Sequence, residues 1–459
     1  MSRLFISAAR KSSGKTSITI GLCAALHARG LAVQPYKKGP DYIDPHWLAR
    51  AADRNCYNLD FYTMARDEIS ELFERHSVDA DISIIEGNKG LYDGLDLEGS
   101  NSNAALAKML DTPVVLVLDA RGMTRGIAPL ILGYQAFDPD INIKGVILNK
   151  LGGYRHEDKL RKVIEHYTDI HVIGAVHNNP ALDIEERHLG LVPSHEDSAC
   201  AETINALRDA VEKQVELDAL LDIANVQADA GQATSSQQIV ERPADVDIGI
   251  VENAAFGFYY PDDLDAFANA GARLVRIDNL VDSVMPPVDG LFIGGGFPET
   301  HMTALENNES FRDSMALAID NDLPVYAECG GLMYLARSIT WKNEKHRMVG
   351  AIPADIVMES TPQGRGYVKL QETGDNLWPS TGSQVIAAHE FHYSRFINLP
   401  KNARFAFQVL RGTGIDGKHD GYICNNMLAC YTHQRNTRNN NWVERFVEFV
   451  RRHKLNKNT

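Results

Sequence analysis

The triplet Gly14-Lys15-Thr16 stands near the start of the chain, after a short apolar run at residues 4–6. An amphipathic run at residues 18–29 follows it, so the pattern predicts a strand, a tight loop and a helix. A helix N-terminus presents unpaired N–H groups and a positive dipole end, which together bind phosphate. Lys15 would reach the β- and γ-phosphates of a nucleotide, and the Thr16 hydroxyl would bind Mg²⁺. The predicted nucleotide-binding residues are Arg10, Ser13, Gly14, Lys15, Thr16 and Ser17.

Three carboxylates follow predicted strands in the first half of the chain. Asp41 and Asp44 come after the apolar run at residues 32–36, and Glu86 ends a later run. Mg²⁺ prefers oxygen ligands, and three carboxylates at one rim repel each other unless a cation lies between them. We therefore expect Asp41, Asp44 and Glu86 to converge with Thr16 on Mg²⁺, although each alone could be a turn or cap residue.

Two further polar residues follow predicted strands in this half. Lys37 is expected to hold an anionic substrate or the transferring phosphate, although Lys38 could take that role or be solvated. Asn149 resembles the asparagine that contacts the base in related nucleotide-binding proteins, or it caps a turn. The sequence leaves both choices open.

A candidate nucleophile, Cys329, lies in the second half, in the segment Val325-Tyr-Ala-Glu-Cys-Gly-Gly-Leu-Met333. The segment predicts a strand, a sharp turn and a helix start, which would expose the thiol and favour the thiolate. Gly330 lets the backbone approach a substrate, so its N–H can stabilise an oxyanion. A second donor could come from the glycine loop that contains Gly295. A small buried cysteine is the alternative.

The base for Cys329 must be a histidine distant in sequence, and the candidates are His389, His392 and His433. Spacing alone does not choose among them. His389 and His392 also have the i, i+3 spacing of two zinc ligands on a helix, but no further ligand cluster accompanies them.

Strand-like runs alternate with helical ones through the first half of the chain. These runs are apolar throughout, which is typical of strands covered on both faces, and they lie at residues 4–7, 32–36, 82–86, 114–118, 145–149 and 171–176. This alternation predicts a doubly wound parallel sheet with ligands at the carboxyl ends of the strands. The second half is also α/β, with a strand at residues 248–251 and a helix at residues 262–270.

Composition excludes several classes of function. A formal net charge of −15 over 459 residues argues against nonspecific nucleic-acid binding. No apolar run approaches the roughly 20 residues that span a bilayer, and the first predicted strand leaves no room for a signal peptide. The six cysteines form no C-x-x-C pair, which argues against zinc or a disulfide framework and predicts a cytoplasmic protein.

Several long motifs occur in order along the chain. Those in the first half are Lys37-x-Gly-Pro-Asp-Tyr-Ile-Asp-Pro45, Asn58-Leu-Asp60, Glu86-Gly-x-x-Gly-Leu-Tyr-Asp-Gly94 and Arg187-His-Leu-Gly-Leu191. Those in the second half are Gly294-Gly-Gly-Phe-Pro-Glu299, Ala327-Glu-Cys-Gly-Gly-Leu-Met-Tyr-Leu335, His389-Glu-Phe-His-Tyr-Ser394 and Tyr431-Thr-His433. Together they resemble the cobyrinic acid a,c-diamide synthase family, whose first half is related to dethiobiotin synthetase and whose second half is a class I-type glutamine amidotransferase.

The resemblance implies an ATP-dependent, Mg²⁺-dependent, glutamine-hydrolysing amide synthase. It implies that His433 is the base, and that Tyr42 and Asp93 join Lys37 at the substrate. Ordinary amidotransferases of this class place a glutamate two residues after that histidine, where this chain has Arg435. The resemblance therefore implies a Cys–His dyad, with His389 and His392 structural or substrate-facing.

The implied partners are small molecules, namely ATP, L-glutamine and a tetrapyrrole polycarboxylate such as cobyrinate, and a homodimer is one option for assembly. Sirohaem or nickel sirohydrochlorin has the same acetates and is the alternative substrate. Outside the enzyme class, the alternative is a nucleotide switch with an inert amidotransferase domain. The pair Cys329 and His433 weighs against a switch, which needs no nucleophile.

The domain organisation follows from a change of composition near the middle of the chain. An ATP-binding amide synthase domain is predicted at residues 1–211, a linker at residues 212–245 and an amidotransferase domain at residues 246–459. A helix can continue through residues 212–224. Residues 227–236 are small and polar and cannot bury enough surface to offset their ordering entropy, which predicts an exposed tether.

Overall fold

The computed structural model describes residues 2–457 apart from residues 183, 185, 188–189, 195–198, 226–242, 380–381 and 383. The chain divides into two compact units, Met1–Ser236 and Gln237–Thr459. The predicted tether at residues 227–236 lies outside the described residues, as do His188 and Leu189 of the motif that begins at Arg187. No helix within the described part of the chain is long and apolar enough to cross a membrane.

The first unit contains one large sheet. Its strands are β1 Ser2–Ala8, β2 Val33–Lys38, β3 Tyr57–Leu59, β4 Ile82–Glu86, β5 Val114–Asp119, β6 Ile143–Leu151 and β7 His171–His177. They lie in the order β3-β2-β4-β1-β5-β6-β7, and every pair is parallel. A short hairpin of β8 Glu186–Arg187 and β9 Gly190–Leu191 stands apart from it. The predicted parallel sheet is confirmed, and all six predicted strands belong to it.

The sequence analysis missed β3, because this three-residue strand contains the polar Asn58, which interrupts the apolar signal. The Asn58 amide donates hydrogen bonds to the carbonyl oxygens of Gly39 (2.8 Å) and Asp41 (2.7 Å). The Asn58 side chain, which interrupts the strand pattern in the sequence, therefore holds the loop after β2, and this loop carries predicted site residues.

Helices separate the strands of this unit. They are α1 Lys15–Ala28, α2 Ile43–Ala52, α3 Arg66–Ser77, α4 Asn103–Met109, α5 Ile127–Phe137, α6 Tyr154–Tyr167, α7 Cys200–Gln214 and α8 Leu217–Asn225. Most of α1 is buried, and α7 covers it so closely that a methyl group on Gly21 would lie 2.8 Å from the carbonyl oxygen of Leu207. The helical stretch at residues 212–224 thus belongs to the first unit.

The second unit is built on a nine-stranded mixed sheet. The strands of the whole unit, in this sheet and outside it, are β10 Val246–Val251, β11 Phe256–Phe258, β12 Ala272–Ile277, β13 Gly290–Ile293, β14 Gly295–Gly296, β15 Val325–Glu328, β16 Ala336–Trp341, β17 Glu344–Arg347, β18 Ile352–Met358, β19 Gly364–Glu372, β20 Val385–His392, β21 Ser394–Ile397, β22 Arg404–Arg411, β23 His419–Cys424 and β24 Met427–Cys430. The large sheet has the order β12-β10-β13-β15-β24-β23-β22-β19-β20 and is parallel as far as β24 and antiparallel beyond it. Strands β16, β17, β18 and β21 form a separate four-stranded sheet, and β11 pairs with β14.

The helices of this unit are α9 Pro261–Asn269, α10 Met302–Asn307, α11 Glu309–Asp320, α12 Gly330–Leu335 and α13 Trp442–Lys457. Trp442 is fully buried, and its ring lies 5.7 Å from Phe267, 5.1 Å from Phe292 and 4.9 Å from Tyr326. Its indole N–H donates to Asp263 at 3.2 Å. Trp442 therefore attaches α13 to the parallel half of the large sheet.

Replacing Trp442 by alanine should lower the free energy of unfolding of the second unit by about 3–5 kcal/mol, because it leaves a cavity and removes a donor from a buried carboxylate. The matched control is Leu455→Ala, near the other end of α13, where the side chain is 62% exposed. The control should change this free energy by no more than about 0.5 kcal/mol. Urea unfolding of the full chain measures both, and equal losses would contradict the packing role.

Candidate active sites

The phosphate loop lies between the end of β1 at Ala8 and the start of α1 at Lys15. Gly14 has a φ of +84°, in the left-handed region, and a methyl group there would lie 2.1 Å from Nδ2 of Asn149. Only glycine satisfies both the backbone angle and this close approach. The glycine of the predicted triplet is therefore required by the shape of the loop.

Two residues near the end of β6 hold the same loop. The Asn149 amide donates to the carbonyl oxygen of Ser13 at 3.0 Å, and Lys150 Nζ donates to that of Ser12 at 3.1 Å. Asn149 was expected either at the nucleotide base or at a turn. Its contact with the loop backbone is a third role, because β6 ends beside the loop.

The predicted nucleotide-binding residues surround this loop. Lys15, Thr16 and Ser17 form the start of α1. The Ser13 hydroxyl donates to the carbonyl oxygen of Arg10 at 2.9 Å, and the Arg10 guanidinium lies 3.3 Å from Asp119. The Arg10 side chain is 73% exposed, whereas Asp119 is buried and also pairs with Arg121, so Asp119 would keep a cation if Arg10 turned towards a ligand.

The ammonium of Lys37 lies among the three carboxylates predicted to bind metal. Its Nζ is 2.5 Å from Asp44 Oδ2, 3.0 Å from Glu86 Oε2 and 3.8 Å from Asp41 Oδ2. The sequence analysis expected Mg²⁺ to offset their mutual repulsion and expected Lys37 at the substrate. In the structure Lys37 is buried and supplies the offsetting charge itself.

The donor chemistry around Thr16 fits Mg²⁺. Its hydroxyl donates to Glu86 Oε1 at 2.6 Å and to Asp44 Oδ2 at 3.2 Å, so a hydroxyl and two carboxylates meet at the start of α1. Asp41 instead holds the start of α2, where its Oδ1 accepts from the backbone N–H groups of Ile43 (2.9 Å) and Asp44 (3.1 Å). Within the described residues, no group of three or more His, Cys, Asp or Glu side chains is arranged to hold a metal ion. Nucleotide phosphates and water would have to complete such a site.

Burial and charge act in opposite directions in this cluster. Burial disfavours the charged form of Lys37, but the surrounding carboxylates outweigh it and raise the pKa of Lys37. Burial lowers the pKa of Lys15, and Glu86 only partly offsets this effect. Burial would raise the pKa of Asp44, but Lys37 outweighs it and the pKa falls. Lys37 and Asp44 are therefore held as an ion pair.

The remaining substrate residues have structural contacts of their own. The Asp93 carboxylate accepts the backbone N–H of Gly90 at 2.8 Å, which closes the turn after β4. Tyr42 is buried at the start of α2, beside Asp41. Their predicted contacts with a substrate stay predictions.

In the second unit, Cys329 occupies a strained turn between β15 and α12. Its φ of +45° and ψ of −99° are unusual for a residue with a side chain, and its backbone N–H donates to the carbonyl oxygen of Cys430 at 2.8 Å. The sequence analysis expected an exposed thiol that favours the thiolate. That expectation is wrong, because Cys329 is buried and burial, with Glu299 and Glu328, raises the pKa of its thiol.

The two predicted oxyanion glycines differ in what they approach. The backbone N–H of Gly330 acts to lower the pKa of the Cys329 thiol, against the larger effect of burial, and a methyl group on Gly330 would lie 2.8 Å from the amide nitrogen of Gly296. A methyl group on Gly295 would lie 2.5 Å from Cε1 of His433. The backbone of Gly296 therefore lies beside Gly330 and Gly295 lies against the histidine, while the predicted oxyanion role of Gly295 stays a prediction.

His433 follows β24 and reaches the same turn. Its backbone exchanges two hydrogen bonds with that of His389, and the two rings stack with centroids 4.9 Å apart. Its Nδ1 lies 3.4 Å from Oε2 of Glu328, the residue before Cys329. Of the three candidate bases, His433 is thus the one that approaches Glu328, the residue next to Cys329.

His389 and His392 lie on β20, so the interpretation of their spacing as a helical zinc pair is wrong. Side chains three residues apart on a strand point to opposite faces. The His392 ring stacks on Tyr431 at 3.9 Å, and its Nδ1 lies 2.9 Å from the carbonyl oxygen of Ser394. Burial, together with the charges of His433 and Arg435, lowers the pKa of His389 well below its usual value, so this ring is neutral.

Curated relatives align with nearly the whole chain. The cobyrinate a,c-diamide synthase of Magnetococcus marinus is 45% identical over 94% of this chain and 93% of its own length. The synthases of the same name from Methanosarcina acetivorans and Archaeoglobus fulgidus are 41% and 40% identical, over 94% and 97% of this chain and 92% and 97% of their own lengths. The chain belongs to this family.

Two domain profiles agree with membership of the synthase family. The profile described as a CobB/CobQ-like glutamine amidotransferase domain matches residues 247–441, and one described as an AAA domain matches residues 2–186. The predicted family, the two-part α/β fold class and the class of glutamine-hydrolysing ligase are confirmed.

Sequence reasoning missed the roles of several polar residues around these sites. The sequence predicted other roles for Asn149 and Lys37. It gave Glu328 no role beyond its place in the motif around Cys329. Asp420 was not noticed; its carboxylate accepts the backbone N–H groups of Tyr431 (2.9 Å) and Thr432 (3.0 Å) and so holds the segment before His433. A charged residue inside an otherwise apolar strand was the available signal for Glu328.

Gly295→Ala should abolish glutamine hydrolysis while the second unit stays folded, because the new methyl group displaces the His433 ring. Gly374→Ala is the matched control, since no atom lies within 4 Å of the added methyl group. Glutamate release by both purified variants measures the effect. Wild-type hydrolysis by Gly295→Ala would contradict the placement of His433 against this glycine.

Proposed function

We propose that the protein amidates the a and c acetate carboxylates of a cobyrinate-type tetrapyrrole, with ATP as the activating nucleotide and glutamine as the ammonia source. The observation that carries the proposal is the presence, in one chain, of a phosphate loop and of a cysteine turn beside a histidine. Relatives that carry the name cobyrinate a,c-diamide synthase are 36–45% identical over 94–98% of the chain. Their shared name supports the choice of substrate.

The first unit would activate the carboxylate. A substrate carboxylate oxygen attacks the γ-phosphorus of ATP, ADP leaves, and the acyl phosphate then reacts with ammonia to give the amide and phosphate. Lys15 places a positive charge on the transferring group, and positioning supplies much of the rate. Thr16, Asp44 and Glu86 would hold Mg²⁺, which neutralises phosphate charge when it is bound.

The second unit would release the ammonia. His433 takes the thiol proton of Cys329 as the sulfur attacks the amide carbon of glutamine. The C–N bond then breaks, the proton passes to the leaving ammonia, and water hydrolyses the thioester to glutamate. The N–H groups of Gly330 and Gly296 would stabilise the oxyanion. Burial raises the pKa of the Cys329 thiol, which supports a mechanism with a base, and His433 is the residue we propose for it.

The alternative substrates differ from cobyrinate in the macrocycle and its metal. Sirohaem and nickel sirohydrochlorin present the same acetates, and the names of the relatives favour cobyrinate over both. Assembly as a homodimer and a cytoplasmic location stay predictions.

The proposal is tested by incubating candidate tetrapyrroles with ATP and either glutamine or ammonium, and following products by mass spectrometry. Each amidation replaces OH by NH₂, and we expect two replacements on cobyrinate. Cys329→Ser should lose the glutamine-dependent product and keep the ammonium-dependent one, because the two steps use different units. Cys424→Ser, a matched control, should behave as wild type. Two amidations of sirohaem or nickel sirohydrochlorin, and none of cobyrinate, would replace the proposed substrate.

Lys15→Ala should stop amide formation from both nitrogen sources, with a loss on the order of 10³-fold or more, by analogy with other charges that stabilise phosphoryl transfer. A basal glutaminase at Cys329 should survive, because its partners all lie in the second unit. Lys11→Ala removes an exposed charge from the same loop and is the matched control. Glutamate and amidated product are measured in one sample. Normal product formation by Lys15→Ala would rule out the phosphate-loop assignment.

A further inference from the structure

Arg435 stands where ordinary amidotransferases have the glutamate that assists the histidine. Its guanidinium is buried, lies 2.7 Å from Asp262 and covers the ring of Tyr260 at 4.7 Å. Asp262 and the neighbouring charges outweigh burial and raise the pKa of Arg435. A guanidinium paired with Asp262 cannot stabilise a positive charge on His433. The position two residues after the histidine, where ordinary amidotransferases have a glutamate, therefore offers His433 no carboxylate.

A different carboxylate approaches His433 from the strand before the nucleophile. Oε2 of Glu328 lies 3.4 Å from Nδ1 of His433, and both side chains are almost completely buried, with exposed fractions of 3% and 4%. Oε1 of Glu328 accepts hydrogen bonds from the Tyr326 hydroxyl (2.6 Å) and from the backbone N–H of Gln434 (2.9 Å). The carboxylate is thus fixed by two donors to Oε1, and its Oε2 lies within ion-pair distance of Nδ1 of His433, in a contact without hydrogen-bond geometry.

The register of the sheet explains this approach. Glu328 pairs with Cys430 across β15 and β24, and His433 follows Cys430 by three residues. Glu328 is the last residue of β15, and the turn at Cys329, with its positive φ, follows directly. With Nδ1 beside Glu328, transfer of the Cys329 proton would use Nε2 of His433.

We propose that Glu328 is a positioning residue that completes a Cys329–His433–Glu328 group, in place of the expected Cys–His dyad. Its carboxylate would hold the His433 tautomer that keeps its proton on Nδ1, and would stabilise the imidazolium formed when Cys329 loses its proton. In this scheme no proton is transferred to Glu328, and the proton moves only from sulfur to His433 and then to ammonia. This inference rests on the proposed glutaminase activity of the second unit.

The pH dependence of hydrolysis reports this role. The carboxylate favours the imidazolium, so its loss should move the acid limb of the kcat/KM profile for glutamine to lower pH. A purely structural role would lower the rate without moving that limb. A Glu328 variant retains the other titratable or charged groups around His433. These are His389, Cys329, Tyr260, Asp262, Asp420 and Arg435.

The experiment compares Glu328→Gln, Glu328→Asp and the control Glu372→Gln in the full chain, by glutaminase rate, its pH profile and ammonium-dependent amidation. Glu372 is a buried carboxylate of the same unit that pairs with Arg445. Its variant therefore tests whether neutralising any buried acid of this unit is enough to lower the glutaminase rate. Glu328→Gln should lower kcat on the order of 10²- to 10⁴-fold, in the range known for acid-to-amide changes in triads, and shift the acid limb. Ammonium-dependent amidation should continue.

Glu328→Asp retains the charge, so its kcat should exceed that of Glu328→Gln at least about tenfold. Its acid limb should lie at the wild-type pH. Wild-type hydrolysis by Glu328→Gln, or a slower rate with an unmoved acid limb in that variant, would overturn the inference. If Glu328→Gln does not fold, a loss of about 10²-fold or more in folded Glu328→Asp would overturn it instead. Failure of the proposed function is distinguishable, because Cys329→Ser would then still hydrolyse glutamine.

Discussion

Parallel strands that end together at one edge of a sheet are the constraint on which both candidate sites depend. In the first unit, Glu86 pairs with Ile6 on one side and with Lys37 on the other, so the phosphate loop and the loop after β2 emerge side by side. In the second unit, Glu328 pairs with Cys430, which brings the nucleophile turn beside the segment that ends at His433. A shift of one residue in either register would turn these side chains to the opposite face.

Both sites also bury charges, and they do so by pairing them. Lys37 lies between carboxylates in the first unit, and Arg435 lies against Asp262 in the second. An isolated buried charge is costly, so such groups persist where opposite charges and hydrogen bonds surround them. Removing a single partner is therefore expected to disturb the whole charged group, because it leaves the remaining charge buried without its counter-ion.

The sequence predicted the features that arise from local pattern. Continuous apolar runs marked the parallel strands, and the glycines around Lys15 and Cys329 marked the two turns. Contacts between side chains from distant strands could not be predicted in this way, because they depend on sheet register. Lys37 among its carboxylates and Glu328 beside His433 are of this kind. The prediction of a thiolate at Cys329 was wrong for a similar reason. A helix start can be recognised from local sequence, whereas the burial that raises the pKa of the thiol depends on the whole fold.

The burial of Cys329 also bears on its reactivity towards other molecules. The residue is buried, and burial raises the pKa of its thiol, which favours the protonated form. Oxidants and alkylating agents attack the thiolate far more readily than the protonated thiol. The same burial that calls for a base such as His433 is therefore expected to slow oxidation of the nucleophile while no glutamine is bound.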